Sequence, residues 1–162
     1  NEYGQRKESL QPVEHMALGA KVTYNNPYNS YYKAGGDSTL TDGVCGTWNN
    51  NDQRWQGFIR NIDLQVDLGQ EKEVSSVSLS FLQILGPEIY LPAEVQMTFL
   101  AEDNTQLVEA STPMPSEQYE TPYVVAPYNV ELVEPVKARY INIKCPRTAR
   151  MGWLFLDEIV VK

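Results

Sequence analysis

Residues 61–69, "NIDLQVDLG", decide the fold. Ile62, Leu64, Val66 and Leu68 alternate with Asp63, Gln65 and Asp67, so an extended chain puts four apolar side chains on one face and three polar ones on the other. A helix would scatter the same residues around its axis, whereas a strand with one face on a core uses all of them. The stretch reads as a half-buried strand running into a turn at Gly69.

Outward from this point the same period recurs. "VSLSF" presents Val77, Leu79 and Phe81, "EVQMTF" presents Val95, Met97 and Phe99, and "RYINIKC" presents Ile141, Ile143 and Cys145. "NVELVE" repeats the device more weakly, and "WLFLDEIVV" closes the chain with a near-continuous apolar run. No segment of helical length keeps an apolar stripe at i, i+3 and i+4. Ten prolines fall mostly between the runs, where they block helix and interrupt central strands. Short strands separated by turn signals, with no alternation of strand and helix, predict an all-β fold: an antiparallel β-sandwich of jelly-roll type. A length of 162 residues suits a single core.

Charge and composition exclude several classes. Twenty-one acidic against 13 basic residues give a net charge of −8, with no basic cluster, so a phosphate backbone is repelled and nucleic acid is not an expected partner. No apolar run approaches bilayer length, so no membrane insertion is expected. The opening "NEYGQRKESLQPVEH" is polar and lacks both an initiator Met and an apolar run; it predicts a linker over 1–15 from a preceding domain, with one domain over 16–162. The sole histidine, His15, falls in that linker, which removes Ser-His-Asp, Cys-His and His-based zinc chemistry together. "AGGDSTL" has the glycines of a phosphate loop without its Lys or its strand–helix context. Asp157 and Glu158, as strand neighbours, should point to opposite faces, which argues against a converging catalytic pair and lets only one of them meet a loop folded over the sheet end. No enzymatic activity is expected of this chain.

A connection of more than thirty residues separates "ALGAKVTY" from the strand at 62. Its centre, "GGDSTLTDGVCGTWNNNDQRWQGF" (35–58), holds five of the ten glycines and two of the three tryptophans. Loops this long carry function or are held down. Buried rings could hold it, or a hard cation could. "LTDGVCGT" offers Asp42 as a carboxylate, Gly43 and Gly46 as bends, and Thr47 as a further oxygen, which suits Ca²⁺ with its six to eight oxygen ligands at roughly 2.3–2.6 Å. The same letters also suit an ordinary Asp-Gly turn. Cys45 and Cys145 could be bonded, tying this loop to a strand end, or Cys145 could be a buried thiol in phase with Ile141 and Ile143.

The ordered elements "ALGAKVTY", "LTDG" with Thr47 four residues on, "RWQGF", "VDLG", "SSVSLSFLQ", "YLP", "ARYINIK" and "WLFLDEI" together resemble the coagulation factor 5/8 type C, or discoidin-like, domain, also called carbohydrate-binding module family 32, with its galactose-binding-like jelly roll. The resemblance covers roughly 16–162, and is similar in particular to modules attached C-terminally to bacterial family 20 β-hexosaminidases (chitobiases). It implies a structural Ca²⁺ held by the Leu40 carbonyl, the Asp42 carboxylate, the Cys45 carbonyl, Thr47 and Glu158. Val44 departs from the pattern, since relatives often carry Asp or Asn there. It also implies sugar binding by an aromatic face with polar groups around it, for which the matching loops supply Arg54, Tyr31, Tyr32, Trp48, Asn50 and Asp52. "RWQGF" looks like a structural signature, which makes Trp55 and Phe58 core rings rather than platform. The implied function is a non-catalytic module that brings a parent glycoside hydrolase, acting in cis, to glycans containing galactose or N-acetylhexosamine. The implied setting is extracytoplasmic and the implied state monomeric. The other reading is a purely structural accessory domain that packs on its parent and binds no sugar.

Overall fold

The computed structural model describes residues 13–162. Seven strands follow in order: β1 (Lys21–Tyr24), β2 (Gln56–Phe58), β3 (Ile62–Ile84), β4 (Glu94–Leu100), β5 (Gln106–Pro113), β6 (Tyr123–Cys145) and β7 (Leu154–Val161). Every strand ladder is antiparallel. The fold is the all-β antiparallel sandwich that the alternation predicts. Among the described residues no helix is long and apolar enough to cross a membrane.

Two strands, β3 and β6, run 23 residues each and serve both layers. Their first and last thirds pair in different company. The N-terminal part of β3 and the C-terminal part of β6 lie between β1 and β4, with β5 at the far edge. The C-terminal part of β3 and the N-terminal part of β6 pair with each other beside β7, and β2 closes the other edge. The crossing occurs where the β3–β6 ladder slips twice, between Asp67 and Lys72 and between Val74 and Ser76. Gly69 sits in the first slip at φ +86°, so the turn expected there is instead a kink inside one continuous strand. The runs 62–68 and 77–81, expected as separate strands, are therefore the two halves of β3.

The main core lies between the layers and includes Ile62, Leu64, Val66, Val77, Leu79, Phe81, Met97, Phe99, Ile141 and Ile143, the residues picked out by period two. A second, smaller cluster lies on the opposite face of the β3–β6–β7 layer: Trp55, Leu82, Ile84, Ile89, Val125 and Phe155, with Tyr32 and Trp153 packed against it. It explains the near-continuous apolar run of β7. Phe155 faces this outer cluster while Leu154 and Leu156 face the main core, so that end of the strand is covered on both sides. What covers it is the long connection between β1 and β2. Trp55 and Phe58 are both buried, as the "RWQGF" signature implies.

Two expectations are corrected here. His15, placed in the linker, is part of the body: its side chain is fully buried, Met16 N donates to Val161 O at 2.8 Å, and Val13 N donates to Gly43 O at 2.8 Å. The rest of the expected linker, 1–12, lies outside the described residues. Asp157 and Glu158 both meet the loop. Opposite them β3 has only Ser80 between Leu79 and Phe81, so β7 carries a bulge that turns neighbouring side chains the same way and breaks the alternation. Gly46 N donates to Asp157 Oδ2 at 2.8 Å and Gly43 N to Glu158 Oε2 at 2.7 Å. No disulfide joins Cys45 and Cys145; Cys145 is buried and burial pushes its thiol far up.

Candidate functional site

The long connection is fastened mainly by its own side chains. Gln56, fully buried, gives Nε2 to Gly36 O at 2.7 Å and to Lys33 O at 3.3 Å while its Oε1 accepts from Tyr24 OH at 2.7 Å. Tyr28 OH donates to Asp37 Oδ1 at 2.6 Å, and that bond is the chief reason the phenol is pushed up to about 12. Further along, Asp52 Oδ2 accepts from Thr47 N at 2.7 Å and Thr47 Oγ1 at 2.6 Å, and Asp52 Oδ1 accepts from Arg54 N at 2.9 Å. Trp55 lies beneath, its indole N–H donating to Thr47 O at 2.7 Å. Gly46 passes directly over that ring, where a Cβ would come within 2.3 Å of Cε2. A glycine is needed there for space.

Two segments so fastened enclose a groove of about 340 Å³, lined by Tyr31, Tyr32 and Lys33 with Ser30 and Ala34 on one lip, and by Asn50, Asn51 and Gln53 on the other, above Trp55. A short 3₁₀ turn, Ser30–Tyr32, carries the first lip, and Asn29 Oδ1 caps it by accepting from Tyr31 N at 2.9 Å. Tyr32 tucks inward, its ring 4.7 Å from Phe155 and 5.0 Å from Trp153. Tyr31 stands outward at 80% exposure, edge to face on Tyr32 at 5.0 Å. The backbone is strained on both lips. Ala34 (φ +48°) and Gln53 (φ +64°) are two of four non-glycine residues with positive φ among the described residues. Such conformations cost on the order of 1–3 kcal/mol each and concentrate at binding sites.

Of the sugar-binding residues expected from sequence, the structure brings Tyr31, Tyr32 and Asn50 to this groove. Arg54, Asp52 and Trp48 do not line it. Arg54 turns its Nη1 toward Cys45 O at 3.4 Å, Asp52 clasps Thr47 and Arg54 as described, and Trp48 is 41% exposed outside the groove. Lys33, Asn51, Gln53 and the ring of Trp55 were missed as lining. Asn51 and Gln53 flank the expected Asp52, and Lys33 follows the tyrosine pair directly, so neighbourhood was their only signal.

The expected cation ligands divide. Glu158 is buried, with Oε1 lacking a well-formed hydrogen bond among the described residues, and the Asp42 carboxyl stands beside it. Burial pushes the Glu158 carboxyl up to about 10; the Gly43 N–H opposes this, and the nearby Asp42 and Asp157 charges reinforce it. His15 offers no positive charge to offset this. Its Nδ1 accepts from Ala17 N at 3.1 Å and Val161 N at 3.5 Å, so the proton sits on Nε2, which donates to Glu158 Oε2 at 2.7 Å. Burial and the charge of Lys162 lower His15 further. A buried, unsatisfied carboxylate oxygen beside a second acid fits a hard cation. The other donors fit less well: Thr47 Oγ1 already serves Asp52 and Asn49 N, and Cys45 O already faces Arg54. No group of three His, Cys, Asp or Glu side chains among the described residues converges as a metal site.

No protein-family profile matches the chain, and no curated protein sequence matches it. Solved structures do. The lectin domain of lectinolysin, complexed with Lewis b antigen, superposes with a TM-score of 0.62 at 16% identity, covering 94% of this chain and 98% of its own. A chitosan-binding module from a chitosanase/glucanase of Paenibacillus sp. gives 0.61 at 15% identity, covering 93% and 99%. A fucolectin from striped bass (Morone saxatilis) serum gives 0.58 at 18% identity, with 91% of this chain covering 48% of that one. At these identities the likeness shows a shared β-sandwich fold.

Proposed function

We propose that this chain is a non-catalytic carbohydrate-binding module whose site is the groove between residues 30–34 and 50–55. The observation that carries the reading is the Tyr31 ring, held in solvent by a capped turn above a groove lined with amides and flanked by strained backbone on both lips. An exposed tyrosine offers its face to the C–H face of a pyranose, and the amides of Asn50, Asn51 and Gln53 pair with hydroxyls. Solved structures of the same fold that are described as lectin, fucose-binding or chitosan-binding modules support the reading. On this reading the module acts outside the cytoplasm as a monomer, raising the local concentration of a parent glycoside hydrolase, of the β-hexosaminidase kind, on glycans containing galactose or N-acetylhexosamine. Millimolar affinity suffices for such a tethered role.

The module also carries a structural Ca²⁺ on this reading, with Asp42 and Glu158 as its anionic ligands and the Leu40 carbonyl beside them. The ion would neutralise the two acids and hold the 40–47 turn to β7; it takes no part in recognising sugar. Heteronuclear NMR titration with a glycan panel tests the site. Resonances of Tyr31, Asn51 and Gln53 should shift, and Tyr31→Ala should abolish the shifts while leaving the melting temperature within about 1 °C, since the ring is exposed. A flat response across the panel would instead favour a structural accessory domain.

A further inference from the structure

The charge of the groove runs against that of the molecule. The chain carries −8, yet the described lining contains one ammonium, Lys33, and no carboxylate. Lys33 makes no ion pair among the described residues. Its backbone is nonetheless fixed: Lys33 O accepts from Gln56 Nε2 at 3.3 Å and from Thr39 Oγ1 at 3.4 Å, and the residue closes the 3₁₀ turn that carries Tyr31. The next residue, Ala34, is in the strained left-handed region, which sets the direction in which the lip leaves the groove. A lysine on a fixed backbone, in a lining that holds an exposed ring and neutral amides and no acid, has every feature of an anion subsite except the anion.

We propose that the groove takes a saccharide bearing an anionic substituent, a carboxylate or a sulfate ester, with Lys33 Nζ pairing to that group while Tyr31 receives the ring face. This rests on the carbohydrate reading of the same groove and adds the class of sugar. The long-range field of an acidic protein repels such a ligand, so any preference for it over its neutral parent must arise locally, at Lys33. A cationic amino sugar is disfavoured, because it meets Lys33 with like charge and finds no acid in the lining to compensate.

A glycan array holding neutral glycans beside their uronylated, sialylated and sulfated counterparts, followed by titration of matched pairs such as galactose, galacturonic acid and galactose 6-sulfate, tests this on the chain 1–162. The wild type should bind at least one anionic member roughly three- to fivefold more tightly than its neutral parent, the increment expected of one solvent-exposed ion pair. Lys33→Gln should bring that ratio to about one. Lys21→Gln, which changes net charge equally on β1, should leave the ratio unchanged. The uronate and sulfate arms identify which anion is preferred. Neutral members bound as well as, or better than, every anionic counterpart would overturn the anionic assignment and leave the carbohydrate reading standing. Equal loss of the ratio in both lysine variants would overturn the role of Lys33. An array without any bound glycan would overturn both.

Discussion

Replacing Glu158 with Gln should make the metal-free protein more stable. At neutral pH the folded chain keeps Glu158 protonated, because its carboxyl is pushed up to about 10, whereas the unfolded chain releases that proton near 4.5. The folded state thus binds a proton that the unfolded state has lost, and folding is penalised increasingly as pH rises between those values. At pH 7, about 2.5 pH units above the unfolded value, the penalty is about 3 kcal/mol. A Gln side chain fits the same contacts: its oxygen can accept from Gly43 N and His15 Nε2 as Glu158 Oε2 does, and its amide can donate toward Asp42 from the place of Oε1. In EDTA, urea melts followed by tryptophan fluorescence should therefore show the wild type losing stability from pH 5 to pH 9. Glu158→Gln should be flatter over that range and more stable at pH 7 by roughly 2 kcal/mol. Calcium should reverse the order. A saturating excess of about a hundredfold over Kd adds about 2.7 kcal/mol to the wild type and little to the variant. A variant less stable than the wild type in EDTA at pH 7, or a wild type whose metal-free stability does not fall with pH, would refute the account of this carboxyl.

Gly46→Ala forces a Cβ into the buried Trp55 ring and displaces its N–H from Thr47 O. It should cost about 2–3 kcal/mol and lower the melting temperature by roughly 5–10 °C, as measured by calorimetry. Gln56→Leu strands the Tyr24 hydroxyl and removes one donor from each of the Gly36 and Lys33 carbonyls, which keep main-chain partners; a loss of about 1–3 kcal/mol in urea is expected, with a larger proportional loss of glycan binding, because the lip at Lys33 is held less firmly. Ellman titration should find two thiols in denaturant without reductant, and Cys145 unreactive over hours in the native state, because it is buried with its thiol pushed up.

The sandwich was legible because its inward residues obey a strict period of two on strands that face one core. The clearest departures come where the ladder is irregular. Gly69 looked like a terminator because a glycine after a strand usually is one, yet here it kinks β3 from one layer into the other. The bulge at Asp157–Glu158 defeated the alternation argument, since a one-residue excess on β7 turns adjacent side chains together. His15 sits too near a polar stretch for any pattern to reveal its burial. In the loop, rings were easier to place than ions and amides. Trp55 and Phe58 follow a recognisable signature, whereas whether Arg54 or Gln53 faces the groove depends on backbone angles such as the positive φ at Gln53, which residue type does not encode.

The fastening of residues 13–16 to β7 has a consequence for how the module can be mounted. Met16 and the last strand residue, Val161, meet at one end of that strand, while Trp153 and Phe155, which back the groove through Tyr32, lie toward its other end, roughly 20–25 Å away along the strand. Anything joined beyond Lys162 would thus emerge from the pole remote from the groove. A carrier tethered there could swing without shading the groove.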